Sequence, residues 1–297
     1  MIFEKTKAMK NLTNAINSKN LPSALLFYGE DELSNNTFAI EFLQMFFCEN
    51  HNFCKVCESC IKMISNSNPD LLTFPKNESF QVADANEIIE NAQISPMINN
   101  YKVIYIKNLD KSTETAQNKI LKILEEPPKR VIFVITTSKT SLVLPTILSR
   151  CNKVCVEELD YDSAREYFKD VDSEIFSESY KNFGGFLGKL ENSFLDGKIK
   201  EISNLADDIF NNLKSSKEII SYSSKLCKNK NDFLVVLKIL ENKFRSILGK
   251  NILSNLCIAE IIEELNKAKK EIENNVSLGI VADNLLMQML QIKFIYK

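Results

Sequence analysis

Apolar residues recur along the first half of this chain in two alternating rhythms. Short runs rich in β-branched and aromatic residues, bounded by polar or turn-forming ones, predict buried parallel strands: ALLFY (24–28) before Gly29, DLLTF (70–74), YKVIYI (101–106), VIFVITT (131–137) and KVCVEE (153–158). Between them apolar positions return every three or four residues and predict helices. Ala8, Leu12, Ala15 and Ile16 line one such face, and Phe38, Phe42, Met45 and Phe46 another, read as core packing. VADANEIIENAQ (82–93) predicts a third helix. In the fourth, Ala116, Ile120, Leu121, Ile123 and Leu124 share a face, Ser112 is placed to cap it, and Glu114 suits its positive end. Pro127 and Pro128 stop that helix because neither has an N–H to donate. Strands and helices alternate five times up to Val156, which predicts an α/β domain with a doubly wound parallel sheet.

Past Glu157 the strand rhythm fades. Helical patterns are interrupted at Gly184, Gly185 and Gly188, and from Glu201 onward the pattern is helical throughout, as in DFLVVLKILENKFRSIL (232–248) and LGIVADNLLMQMLQIKFIY (278–296). A chain of 297 residues is long enough for about two cores. Glycine and proline are sparse, seven of each, as a helix-rich chain requires. No uninterrupted apolar run approaches the roughly 20 residues that span a bilayer. Charges are scattered through MIFEKTKAMKNL at the start, so a cytoplasmic protein is expected. The net charge of -2 argues against a stand-alone nucleic-acid binder held by phosphate contacts.

Cys48, Cys54, Cys57 and Cys60 form C-x5-C-x2-C-x2-C. In a reducing compartment such spacing indicates metal ligands rather than disulfides, and four thiolates close a tetrahedral zinc site with a structural role. The alternative is an iron–sulfur cluster, whose pattern wants another cysteine soon after; position 64 is Ile. His51, the single histidine, lies inside the cluster and is expected to be a loop residue, since four thiols suffice. Cys151, Cys155, Cys227 and Cys257 are expected to pack as small apolar groups.

LPSALLFYG (21–29), LEEPP (124–128), VIFVITT and LPTILSRC (144–151), in this order and spacing, resemble the AAA+ clamp-loader subunits of bacterial DNA polymerase III across the first half of the chain. The resemblance implies a RecA-like AAA+ domain over 1–158 with a zinc module at 48–60, a small helical lid over 159–203, and a helical collar, the oligomerisation domain, over 204–297. A nucleotide-binding loop in this fold would read G-x-x-x-x-G-K-[ST] after the first strand. Here Gly29 is kept, but Ser34, Asn35 and Asn36 stand for the second glycine, the lysine and the magnesium-holding hydroxyl, with Thr37 one place late. Glu30, Asp31 and Glu32 line the approach and should repel phosphates. The hydrolysis box has become Lys107 and Asn108, leaving Asp110 as the nearby acid. No bound ATP and no intrinsic ATPase activity are expected.

A chain that keeps Ser149-Arg150-Cys151 but lacks the phosphate loop resembles the delta-prime class of that family. The implied role is a rigid stator in a five-membered ring with the gamma/tau ATPase subunits and the clamp-opening delta subunit. Through the assembled complex it would act on the sliding clamp and primed DNA, as part of a DNA-directed DNA polymerase holoenzyme. Arg150 would be an arginine finger serving the neighbouring ATPase in trans, with Ser149 and Cys151 setting the local backbone. The plainer reading of Arg150 is a surface ion pair. Lys189 falls where AAA+ proteins place a second nucleotide-sensing base and is expected to face solvent. Two other readings stay open: a loader ATPase with a divergent loop, and a zinc-containing nucleic-acid-binding module.

Overall fold

The computed structural model describes residues 1–195, 199–250 and 253–296. Five strands, β1 (Ala24–Tyr28), β2 (Leu71–Phe74), β3 (Lys102–Ile106), β4 (Val131–Thr137) and β5 (Asn152–Cys155), pair in parallel in the order β2-β3-β4-β1-β5. β3 and β4 are buried along their whole length, as their unbroken apolar sequences demand. α1 (Lys7–Asn17) precedes β1, and the helices threaded between strands are α2 (Glu32–Phe47), α3 (Glu58–Ile64), α4 (Val82–Ala92), α5 (Glu114–Glu125) and α6 (Pro145–Leu148).

Side chains alternate across a strand, so adjacent residues of β1 build opposite layers. Leu26, with Ile104, Ile106, Phe133 and Ile135, packs into one core with Ile88 of α4 and Ile120 and Leu124 of α5. Phe27 faces the other way, where the Phe38 and Phe42 rings of α2 meet it edge-on at 5.1 and 5.4 Å. Phe3 extends that stack onto Phe38 at 5.3 Å. Helices therefore cover both faces, as a doubly wound sheet requires.

The details correct three expectations. The cap of α5 is Thr113, which accepts from Ala116 N at 3.3 Å, while Ser112 Oγ donates to Leu109 O and closes a 3-10 turn at Leu109–Lys111. Cys155 is exposed, because β5 is an edge strand with an open face. Cys227 is half-buried at the end of a helix rather than inside a core; Cys151 and Cys257 are buried.

The chain divides into two compact units, one comprising 1–169 with 185–189 and the other 170–184 with 190–297. The first holds the sheet and α7 (Tyr161–Tyr167). The second is helical: α8 (Ser173–Phe183), most of α9 (Leu187–Leu195), α10 (Ile199–Asn212), α11 (Ser216–Leu226), α12 (Lys230–Ile247), α13 (Asn255–Glu273) and α14 (Leu278–Ile295). The stretch 159–203 is shared between both units. α14 is long and apolar enough to cross a membrane by length and composition, yet Val281, Leu285, Leu286, Met289 and Ile292 lie in the core of the helical unit.

Candidate functional site

The loop after β1 sits at the carboxyl end of the sheet, where open α/β sheets bind their ligands. Its own side chains fill it. Asp31 caps α2 by accepting from Ser34 N at 2.7 Å, and the same carboxylate accepts from Gly188 N at 2.9 Å. Ser34 Oγ accepts from Leu187 N at 2.9 Å, and Glu30 pairs with Lys189 at 2.7 Å. Lys189 also lies over the Phe186 ring at 4.1 Å, so it closes on the loop and does not stand free in solvent as expected. Asn35 points inward, donating to Gly29 O at 3.1 Å and Thr137 O at 2.9 Å. A Cβ on Gly29 would meet Asn35 Oδ1 at 2.7 Å and Val156 O at 2.8 Å, so only glycine fits.

The segment after β3 is also bonded within the domain. Asn36 Oδ1 accepts from Tyr105 Oη at 3.0 Å and Thr136 Oγ1 at 2.7 Å, and Asn36 Nδ2 donates to Asn108 Oδ1 at 3.0 Å. Asn108, held in the left-handed region at φ 50°, donates to Glu32 Oε1 at 2.6 Å, and Glu32 pairs with Lys111 at 2.6 Å. Lys107 lies beside the Tyr105 ring at 5.7 Å. Asp110 accepts from Thr137 Oγ1 at 3.0 Å and Ser138 Oγ at 2.8 Å. Neutral amides and internal ion pairs thus fill the loop after β1 and the segment that follows β3. An open cleft of about 740 Å³ beside the loop carries Glu30, Glu157 and Glu158 in its lining, a potential that disfavours an anion. The residue types here are plain in the sequence; the bonds they make with one another are not.

Arg150 follows α6, directly before the edge strand β5. Its Nη1 donates to Thr146 O at 2.8 Å and lies 3.4 Å from Ser149 Oγ, and its Nη2 donates to Glu125 Oε1 of the LEEPP segment. The Arg150 side chain is about a third exposed. Cys151 is buried, and burial pushes its thiol up to about 11, so it packs rather than reacts.

Cys48 ends α2, Cys57 caps α3, and all four sulfurs of Cys48, Cys54, Cys57 and Cys60 lie within 4.8 Å of one another. A zinc ion with Zn–S bonds of about 2.3 Å sets its four sulfurs about 3.8 Å apart, so a small contraction closes the site. Backbone N–H groups of Cys54, Cys57 and Cys60 already point at Cys48, Cys54 and Cys57 sulfurs at 3.4 to 3.5 Å. Burial raises the Cys48 thiol, but the N–H groups of Cys54, Asn52 and Asn50 outweigh it and hold it down to about 6. Burial and the neighbouring thiols push Cys60 up to about 12. The donor set of four thiols at this separation fits zinc. His51 turns Nδ1 toward Met45 O at 3.4 Å, outside the sulfur cluster.

The first unit is thus a parallel five-stranded α/β domain whose loop after β1 is closed by its own side chains and whose Arg150 just precedes the edge strand. The family model described as DNA polymerase III, delta subunit, matches residues 4–160, and the chain belongs to that family. The delta-prime subunit of Bacillus subtilis is 31% identical over 156 residues, covering 52% of this chain and 47% of the relative. The gamma/tau subunit of Mycoplasma genitalium is 30% identical over 165 residues, covering 54% of this chain and 28% of the relative. The chain thus spans half or less of the length of these curated relatives. Among solved structures, a gamma subunit-related protein from Thermotoga maritima aligns over 96% of this chain and 99% of its own, with 19% identity and a TM-score of 0.49.

Proposed function

We propose that this chain is a non-hydrolysing stator of the DNA polymerase III clamp loader. It assembles with the ATPase subunits and the clamp-opening subunit in the cytoplasm to place the sliding clamp on primed DNA. The observation that carries this reading is the phosphate loop occupied by Asp31, Ser34, Asn35 and Asn36, with Lys189 spent on Glu30. Without nucleotide of its own, the chain contributes Arg150 to the site of a neighbouring ATPase. A guanidinium keeps its charge at any working pH and presents a planar fork suited to a γ-phosphate. Cys48, Cys54, Cys57 and Cys60 hold a structural zinc that ties α2 to α3, and supplies no chemistry because no coordination position is open. The division into an AAA+ domain, a lid and a collar belongs to the same proposal. It is supported by the solvent face of α14, where Ile280, Met287 and Phe294 recur at sevens and Asp283 is the one charged residue among the exposed positions.

The test is ATP hydrolysis stimulated by clamp and primed DNA, measured on a loader reconstituted with this chain and on the chain alone. The isolated chain should be inactive. Arg150→Ala should assemble normally and lose about tenfold or more of the stimulated rate. Hydrolysis by the isolated chain would overturn the stator reading, and a normal rate with Arg150→Ala would remove the finger.

A further inference from the structure

Glu125 is the last residue of α5, followed by Glu126 and two prolines. A carboxylate at that end of a helix faces the negative pole of the peptide dipoles, where a cation is favoured, so local helix energetics do not account for it. It reaches across to the arginine that follows α6. Three oxygens from two separate segments surround the Arg150 guanidinium: Glu125 Oε1 at Nη2, and Thr146 O at 2.8 Å and Ser149 Oγ at 3.4 Å at Nη1. Both partners are substantially exposed, with side-chain accessibilities of 31% for Arg150 and 47% for Glu125, and an exposed pair adds little to stability. What such a pair does supply is orientation. A free arginine samples many rotamers and must surrender them to engage a ligand, whereas one already held by acceptors at both terminal nitrogens has surrendered them in advance.

We propose that Glu125 is a positioning residue for Arg150, fixing the plane of the guanidinium before it meets the partner's phosphate; this rests on the reading of Arg150 as a finger in trans. The LEEPP and SRC segments, 25 residues apart at these two side chains, then form one device. Glu125 takes a bond from Nη2, and Nε makes no hydrogen bond to the described residues. Pro127 and Pro128 serve it by ending α5 at a fixed point, so the carboxylate cannot drift with a fraying helix end.

The experiment is steady-state kinetics of the reconstituted loader, with kcat and KM for ATP measured for Glu125→Gln, Glu125→Ala, Arg150→Ala and the double Ala variant, beside the melting temperature of each free chain. Glu125→Ala should lower kcat about fivefold with KM changed by less than about twofold, and the double variant should be no slower than Arg150→Ala. Glu125→Gln, which keeps an acceptor but not the charge, should fall between, and it carries the comparison if the alanine variant melts early. Wild-type kcat in both Glu125 variants beside a slow Arg150→Ala overturns the positioning role alone, as do losses that multiply in the double variant. A wild-type rate with Arg150→Ala sinks the finger itself, and the positioning role with it.

Discussion

Asp70 is fully buried just before β2, and its carboxylate accepts from Met97 N at 2.6 Å, Ile98 N at 2.9 Å, Asn99 N at 2.7 Å and Asn99 Nδ2 at 3.0 Å. Burial pushes its pKa up, but the N–H groups of Asn99, Met97 and Ile98 outweigh burial and hold it below the ordinary 3.8. A carboxylate depressed in the folded state contributes stability that is present above its unfolded value and is lost as pH falls through the folded one. Asp70→Asn should therefore cost about 2 to 3 kcal/mol near neutrality and flatten the acid limb of a plot of melting temperature against pH below about pH 4. Parallel acid limbs for wild type and variant would contradict this. The consequence reaches the site, since Asp70 anchors the turn that feeds β3, and Lys107 and Asn108 directly follow β3. None of these bonds is visible in the sequence, where Asp70 reads only as the polar start of a strand.

At the scale of elements, the β-branched runs and the 3.6-residue stripes locate the five strands and α1, α2, α4 and α5 of the first unit, because burial on a sheet or under a helix imposes those periods directly. Capping is less legible. Ser112 and Thr113 are adjacent and chemically alike, and which one caps α5 depends on the 3-10 turn that claims Ser112. The cysteine knuckle is legible in full, since its spacing itself sets which sulfurs meet. Purified chain should carry one zinc by elemental analysis, and Cys54→Ser should lose it and lower the melting temperature by about 10 °C, because binding energy at a structural site is folding energy. Visible absorption from a brown, iron-containing protein would replace zinc with a cluster. Gly185 marks another element boundary: a Cβ there would lie 1.8 Å from Leu159 O. The sequence shows this glycine only as a break.

For the whole molecule, the contrast between α13 and α14 is informative. The exposed side of α13 carries Glu263, Lys267, Lys269 and Lys270, as water demands, whereas that of α14 presents Ile280, Met287, Phe294 and Ile295. Core interface patches are depleted in charge and enriched in Met and aromatics. Met287→Lys should leave the fold of the free chain intact and weaken its incorporation into the loader by about tenfold or more, read by size-exclusion chromatography with the ATPase subunits. Unchanged incorporation would take α14 out of the assembly surface.

The sequence alone determined the alternation of the five strands with the main helices, the thiol spacing, and the residue types in the loop after β1. Each of these is a matter of residue type or local period. Tertiary structure decided which polar group answers which. Lys189 meets Glu30 from 159 residues away, Asn36 joins Tyr105, Thr136 and Asn108, and Glu125 reaches Arg150. Periodicity reports which face of an element is buried, but a hydrogen bond or ion pair depends on what the fold brings opposite that face, and that is set by the parallel order of five strands rather than by any short stretch of chain.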